Sequence, residues 1–284
     1  MNAIDPMFSS MVKQWRAMRK ISQLELALNV GVSQRHLSFL ESGRSKPSRE
    51  MVLTLCGGLD LSLRDRNQLL TAAGYAPAFR ERELGDKEMS IVNRALDMTL
   101  AHHEPYPAIV VDRSWNLLKS NVAADSLIGL LGDTEKRWQD IDPSGNRNIY
   151  RFTFHPRGMR PFIDNWALVA HHLHIRLQRE VAVDPGNASL RSLLADFEEQ
   201  LGNAGEQSKH SDMPAMERVP PVIGMALRIG SLSLQLFSMV SSFGTALDVT
   251  AEELRIETFF PADEETKLFF RQLPRLPTAD SLPN

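Results

Sequence analysis

Within one short stretch, Ser33, Gln34, Arg35 and Ser38 present hydroxyl, amide and guanidinium groups. A planar amide matches the N6/N7 edge of adenine, and a guanidinium fork matches the O6/N7 edge of guanine. Near the N-terminal end of a helix, such groups suit the reading of base pairs in a major groove. Gln34 and Arg35 are therefore the principal base-reading candidates, with Ser33 and Ser38 beside them. Arg19, Gln23, Arg44 and Lys46 flank the stretch and suit phosphate oxygens, which set register without carrying sequence preference. Phe39 reads two ways, as a contact to a thymine methyl or as the half-buried edge of a small core.

The residues around this stretch specify the elements that must hold it. Ser22 followed three residues later by Glu25 has the form of a capping box. Leu26, Ala27 and Val30 then form one inward face, and Val32, Leu37 and Leu40 carry an apolar stripe into a second helix. Ala27 leaves room for two crossed helices, and Gly31 permits a sharp turn at positive φ without steric cost. Together they predict a helix-turn-helix over Gln23–Ser42. A plain pair of helices with a solvated polar face is the alternative, but it does not require a cap, an alanine and a glycine at these places. Flanking helices are expected at 8–20 with Phe8, Val12 and Trp15 inward, from Pro47-Ser48 to Gly57-Gly58, and over Leu63–Ala73 before Gly74. Residues 1–82 hold 12 Lys+Arg against 7 Asp+Glu, a net +5, whereas the whole chain is −3, leaving −8 for the remainder. A basic amino-terminal module is thus joined to an acidic larger one.

Tyr75-Ala76-Pro77 and the charged run at 80–83 mark the boundary, giving domains over 1–79 and 80–284. The second domain is expected to open with a helix over 87–102, a buried strand at 108–111, a turn at 112–114 and a returning strand at 115–119. A helix at 121–131 follows, and Trp166, Val169, Ala170, Leu173 and Leu177 recur at helical spacing between Pro161 and Pro185. Gly202–Pro221 is polar and reads as a mobile loop. Leu232, Leu234 and Leu236 alternate with Ser231, Ser233 and Gln235, so 222–229, 232–243 and 254–260 are expected as antiparallel strands. Helices over such a sheet give an α+β domain. Asp112, Arg113 and Asn121 are read as stabilisers of turns and helix ends.

Little in the chain suggests catalysis. His171, His172 and His174, with Asp164 and His155, invite a metal reading, but adjacent imidazoles on a helix project about 100° apart. No HExxH motif, Gly-rich phosphate loop or GxSxG turn is present. No catalytic residue, metal or cofactor is therefore expected. Cys56 is the single cysteine, excluding an intramolecular disulfide, and reads as a small buried apolar side chain, with redox sensing as the alternative. The first residues do not form a secretory signal and no apolar stretch has membrane-spanning length, so a cytoplasmic protein is expected. A curved sheet under helices can enclose an apolar pocket. Tyr106, Trp115, Phe152, Trp166 and Phe243 are the candidate lining residues, with Arg147 and His172 as polar anchors for a small apolar or acidic effector. Each of them also reads as ordinary core.

The run SQLELALNVGVSQRHLSFLESGRSKPS, residues 22–48, resembles the helix-turn-helix of phage-repressor-like (xenobiotic-response-element) transcriptional regulators. LRDRNQLLTAAGYAP at 63–77, HHEPYPAIVVDRSWNLLKSN at 102–121 and LRIETFFPADEET at 254–266 are similar to the MmyB-like regulators. That resemblance implies a mainly helical, five-helix DNA-binding domain followed by an α+β, PAS-like ligand-binding domain. It also implies double-stranded DNA and a small-molecule effector as partners. A homodimer is expected, because one recognition helix reads only a few base pairs and such heads pair across half-sites. Two other readings stand beside this one: a DNA-binding head fused to an enzyme, and an antitoxin-like regulator with a protein partner.

Overall fold

The computed structural model describes residues 6–203 and 222–273. They form two compact units. The first comprises residues up to Met89 together with 243–252, and the second comprises Ser90–Ser242 with the chain from Glu253 onward. Most of the polar Gly202–Pro221 segment lies outside the described residues.

The first unit is built on α1 (Pro6–Met18), α2 (Gln23–Asn29), α3 (Gln34–Glu41), α4 (Arg49–Gly58) and α5 (Leu63–Ala72). Four of these helices start by one device. Ser22, Ser33, Ser48 and Ser62 each place a hydroxyl oxygen to accept from the amide three residues on, satisfying a donor that the helix leaves free. At Ser22 the capping box is complete, with the Glu25 carboxylate accepting from the Ser22 amide. Phe8, Val12, Leu26, Leu37, Leu40, Leu55 and Leu69 are fully buried between the helices. Each such side chain contributes about 1.5–3 kcal/mol relative to exposure. Gly31 joins α2 to α3 at φ +72°, in the left-handed region. Gly58 serves packing instead, since a Cβ there would lie 2.3 Å from Val30 Cγ1. α2 and α4 thus meet through a missing side chain.

A buried carboxylate locks three of the helices. Glu41, 1% exposed, accepts from Arg16 Nε at 2.8 Å, Arg16 Nη2 at 3.2 Å and Gln23 Nε2 at 2.7 Å. Arg16 also donates to the Ile21 carbonyl at 3.0 Å. The ion pair raises the Arg16 pKa further, so the cation is permanent.

The second unit contains a five-stranded antiparallel sheet in the order β2-β1-β5-β4-β3. Its strands are β1 (Ala108–Val111), β2 (Leu117–Ser120), β3 (Met225–Ile229), β4 (Leu232–Ser241) and β5 (Arg255–Pro261). The helices are α6 (Ser90–His103), α7 (Val122–Gly129), α8 (Thr134–Ile141), α9 (Ile149–Phe154), α10 (Trp166–Val183), α11 (Ala188–Asn203), α12 (Val249–Glu253) and α13 (Glu264–Gln272). This is the helix-covered antiparallel architecture expected of a PAS-like domain. The short helices α8 and α9 carry too few apolar residues to declare a period, whereas the long α11 was missed although Leu190, Leu193, Leu194, Phe197 and Leu201 recur at helical spacing.

One strand starts later than its pattern suggests. Trp115 lies outside β2, at φ +67°, an unusual conformation for a bulky side chain. Asp112 imposes it: its carboxylate accepts from the amides of Ser114 at 2.7 Å and Asn116 at 2.9 Å, and from Asn116 Nδ2 at 2.8 Å. The turn throws the indole inward, fully buried. Asn121 performs the corresponding service for α7, accepting from the amides of Ala124 at 3.0 Å and Ala108 at 2.9 Å.

Candidate functional site

Two surfaces carry chemistry, one in each unit. In the first, Ser33, Gln34 and Arg35 are exposed and Ser38 is half-buried along the outer side of α3. Ser33 is also the cap of that helix, so its oxygen already accepts from the His36 amide at 3.1 Å. Phe39 is half-buried, and the guanidinium carbons of Arg35 and Arg44 stand 5.4 Å and 6.0 Å from its ring centroid. Cation–π contact of this kind restrains a long side chain while leaving its N–H groups directed to solvent or a ligand. Lys46 is exposed, 5.7 Å from the Tyr75 ring, and Tyr75 is fixed by donating its hydroxyl to the Pro47 carbonyl at 2.8 Å. Arg19 and Gln23 have partners within the protein. Arg19 donates to the carbonyls of Leu59 at 3.0 Å and Asp60 at 2.7 Å, closing the C-terminal end of α4. The Gln23 amide holds Glu41, as described.

In the second unit, alternate residues of the sheet, including Ile109, Leu236, Ser238, Glu257 and Phe259, face α7, α9 and α10 across a cavity of about 420 Å³. The wall is largely apolar and contains a polar cluster: Tyr150, His172, Arg176, Ser238 and Glu257. Ser238 Oγ donates to Glu257 Oε1 at 2.7 Å. Burial raises the Glu257 carboxyl above its ordinary value and the Tyr150 phenol well above its own, so Tyr150 remains a hydroxyl. Burial, then the nearby His171 and Arg179, lower the His172 pKa, keeping that imidazole neutral near pH 7. Among the described residues, Tyr150 Oη and His172 Nε2 are buried without a hydrogen-bond partner. Leaving such atoms unpaired costs about 1–3 kcal/mol each.

Comparison with known families follows this division. Residues 12–65 match a helix-turn-helix family, and residues 92–273 match the MmyB-like transcription regulator ligand binding domain. The chain belongs to the MmyB-like transcription regulators. A search of curated proteins finds no match. As a member of this family with a helix-turn-helix unit, it is a DNA-binding transcription regulator. No described helix of this MmyB-like regulator is long and apolar enough to cross a membrane.

The cavity of the regulator gathers only part of the pocket anticipated from sequence. Phe152 and His172 line it; Tyr106, Trp115, Arg147, Trp166 and Phe243 do not. Arg147 instead pairs with Glu135 at 2.7 Å on the surface. Phe243 packs with the first unit. Tyr106 and Trp166 belong to the apolar packing around α10 and α13. Trp115 lies behind the cavity wall: it stacks on Tyr150 at 4.3 Å, lies under Arg176 and Arg255, and donates Nε1 to Glu180 at 2.7 Å. Its role is to position Tyr150. Tyr150, Arg176, Ser238 and Glu257 were missed, although a lone carboxylate in the apolar strand RIETFF was a visible signal. His174 turns to Glu198 at 2.8 Å while its neighbour His172 faces the cavity. Burial pushes the Cys56 thiol up to about 11, so at neutral pH it is a packed thiol with little thiolate.

Proposed function

We propose that this regulator binds a sequence-specific operator through α3, as a homodimer, and that a small effector in the cavity of the second unit controls that binding. The observation carrying the effector reading is the unpartnered pair Tyr150 Oη and His172 Nε2 within the polar cluster of a largely apolar wall. A hydroxyl and a neutral imidazole there suit the polar head of a small, mainly apolar or acidic molecule, whose body would displace water from the rest. On the DNA side, Gln34 and Arg35 supply base-edge contacts, with Arg44 and Lys46 at phosphates. Two copies would place their α3 helices about 34 Å apart, one turn of duplex. An effector shifts DNA affinity only by binding one arrangement of the regulator better than another.

Selection of bound duplexes from a random pool, paired with denaturing mass spectrometry of the purified chain, tests both halves. A defined operator should emerge. Changing Gln34 and Arg35 together to Ala should remove discrimination from random DNA, at about 1–3 kcal/mol per lost base contact. Retained discrimination would displace the reading residues from α3. A copurifying small molecule should be present with the wild type and depleted in Tyr150→Phe/His172→Leu. Equal recovery from both would place its binding elsewhere.

A further inference from the structure

We propose that residues 243–252, which connect β4 to β5, form a strap that passes displacement of the cavity strands to the helix-turn-helix unit. In its consequence for regulation, though not in its mechanics, this rests on the effector reading above. Adjacent antiparallel strands need only about 2–5 residues to reverse direction. Here residues 242–254 separate Ser241 from Arg255, and most of the excess length packs as part of the first unit.

The attachment is specific. Val249 and Ala251 are buried, and the Val249 amide donates to the Arg80 carbonyl at 2.9 Å. Asp248, itself buried, accepts from Arg82 Nη1 at 2.8 Å and from the Thr250 amide at 3.0 Å. Glu252 Oε2 accepts at 2.7 Å from the amide of Leu63, the first residue of α5, where a helix supplies no internal acceptor. The strap therefore holds one end of a helix in the DNA-binding unit.

Both ends of the strap continue into the cavity wall. Ser238 lies on β4 just before it and Glu257 on β5 just after it, and their 2.7 Å hydrogen bond ties the two strands at the cavity. The slack is unequal. Glu252 to Arg255 is three steps of chain, at most about 10 Å, whereas Ser241 to Asp248 can extend to about 25 Å. A shift of β5 must reach Glu252 almost undiminished, while the β4 side absorbs much of its own movement.

Hydrogen-exchange mass spectrometry on the full chain tests this without DNA or effector. Ser238→Ala perturbs the cavity strands, and exchange in peptides spanning 243–252 and 61–66 should rise at least threefold along with that in β4 and β5. Asp248→Asn/Glu252→Gln perturbs the strap, and exchange in 255–261 should rise by a similar factor. A response in either variant that stops at its own unit overturns the proposal. So does acceleration spread evenly through α10 and α11, which would mark general loosening. If Ser238→Ala fails to fold, the strap variant decides by itself. Absence of a bound effector would remove the regulatory reading yet leave these exchange outcomes unchanged, so the two failures are distinguishable.

Discussion

At the scale of single residues, burial decides what a charged side chain does. Glu41 and Glu257 are both almost inaccessible, yet one has a cation and an amide as direct partners while the other has a serine hydroxyl. Removing the cation from Glu41 leaves a charge in the core with only Gln23 to stabilise it. Arg16→Ala should therefore destabilise the first unit by about 3 kcal/mol, read from the urea midpoint, and a loss below about 0.5 kcal/mol, the level of an exposed pair, would show that Glu41 is not held by that pair. Glu257 follows the opposite rule. Its raised pKa means that the folded state favours the protonated carboxyl, so its contribution is full below the ordinary value of 4.5 and is lost as pH climbs through the raised one. Glu257→Gln cannot ionise, so wild-type stability should fall relative to the variant as pH rises above 4.5. Parallel pH profiles in urea titrations would refute it.

At the scale of elements, two glycines in the same helical unit separate backbone conformation from packing. Gly31 lies at φ +72° with no atom within 4 Å of a would-be Cβ, so Gly31→Ala pays only the left-handed backbone penalty, about 1–2 kcal/mol. Gly58 has ordinary backbone but would drive a Cβ to 2.3 Å from Val30 Cγ1. Gly58→Ala must move α2 against α4, at about 1–3 kcal/mol. The first change should leave DNA affinity intact per folded molecule. The second should weaken it, since α2 supports α3. Calorimetry with operator titration separates them, and equal affinity loss in both would contradict this division.

For the whole molecule, the −3 net charge conceals a basic module attached to an acidic one, and DNA affinity should follow the module. Each phosphate contact adds about 0.9 to the slope of log K against log salt. Arg44→Ala should reduce that slope by about 1 and weaken all duplexes alike, measured by fluorescence anisotropy across a salt series. An unchanged slope would remove Arg44 from the phosphate set. The remainder of the chain, at a net −8, adds no net attraction for a polyanion. The proposed effector dependence would enter through the cavity of the second unit.

Sequence alone determined the helix-turn-helix, because its caps, its positive-φ turn and its apolar spacing are local demands met within a few residues of Ser22, Gly31 and Leu37. It also determined the alternating strands and the turn at Asp112, for the same reason. Only the tertiary structure decided which side chains share the cavity. Tyr150, His172, Ser238 and Glu257 come from two helices and two strands, and convergence across such separations leaves no periodic trace. It also supplied Arg19 and Gln23 with carbonyl and carboxylate partners within the protein, since a polar group's nearest partner is set by packing, not by its neighbours in the chain.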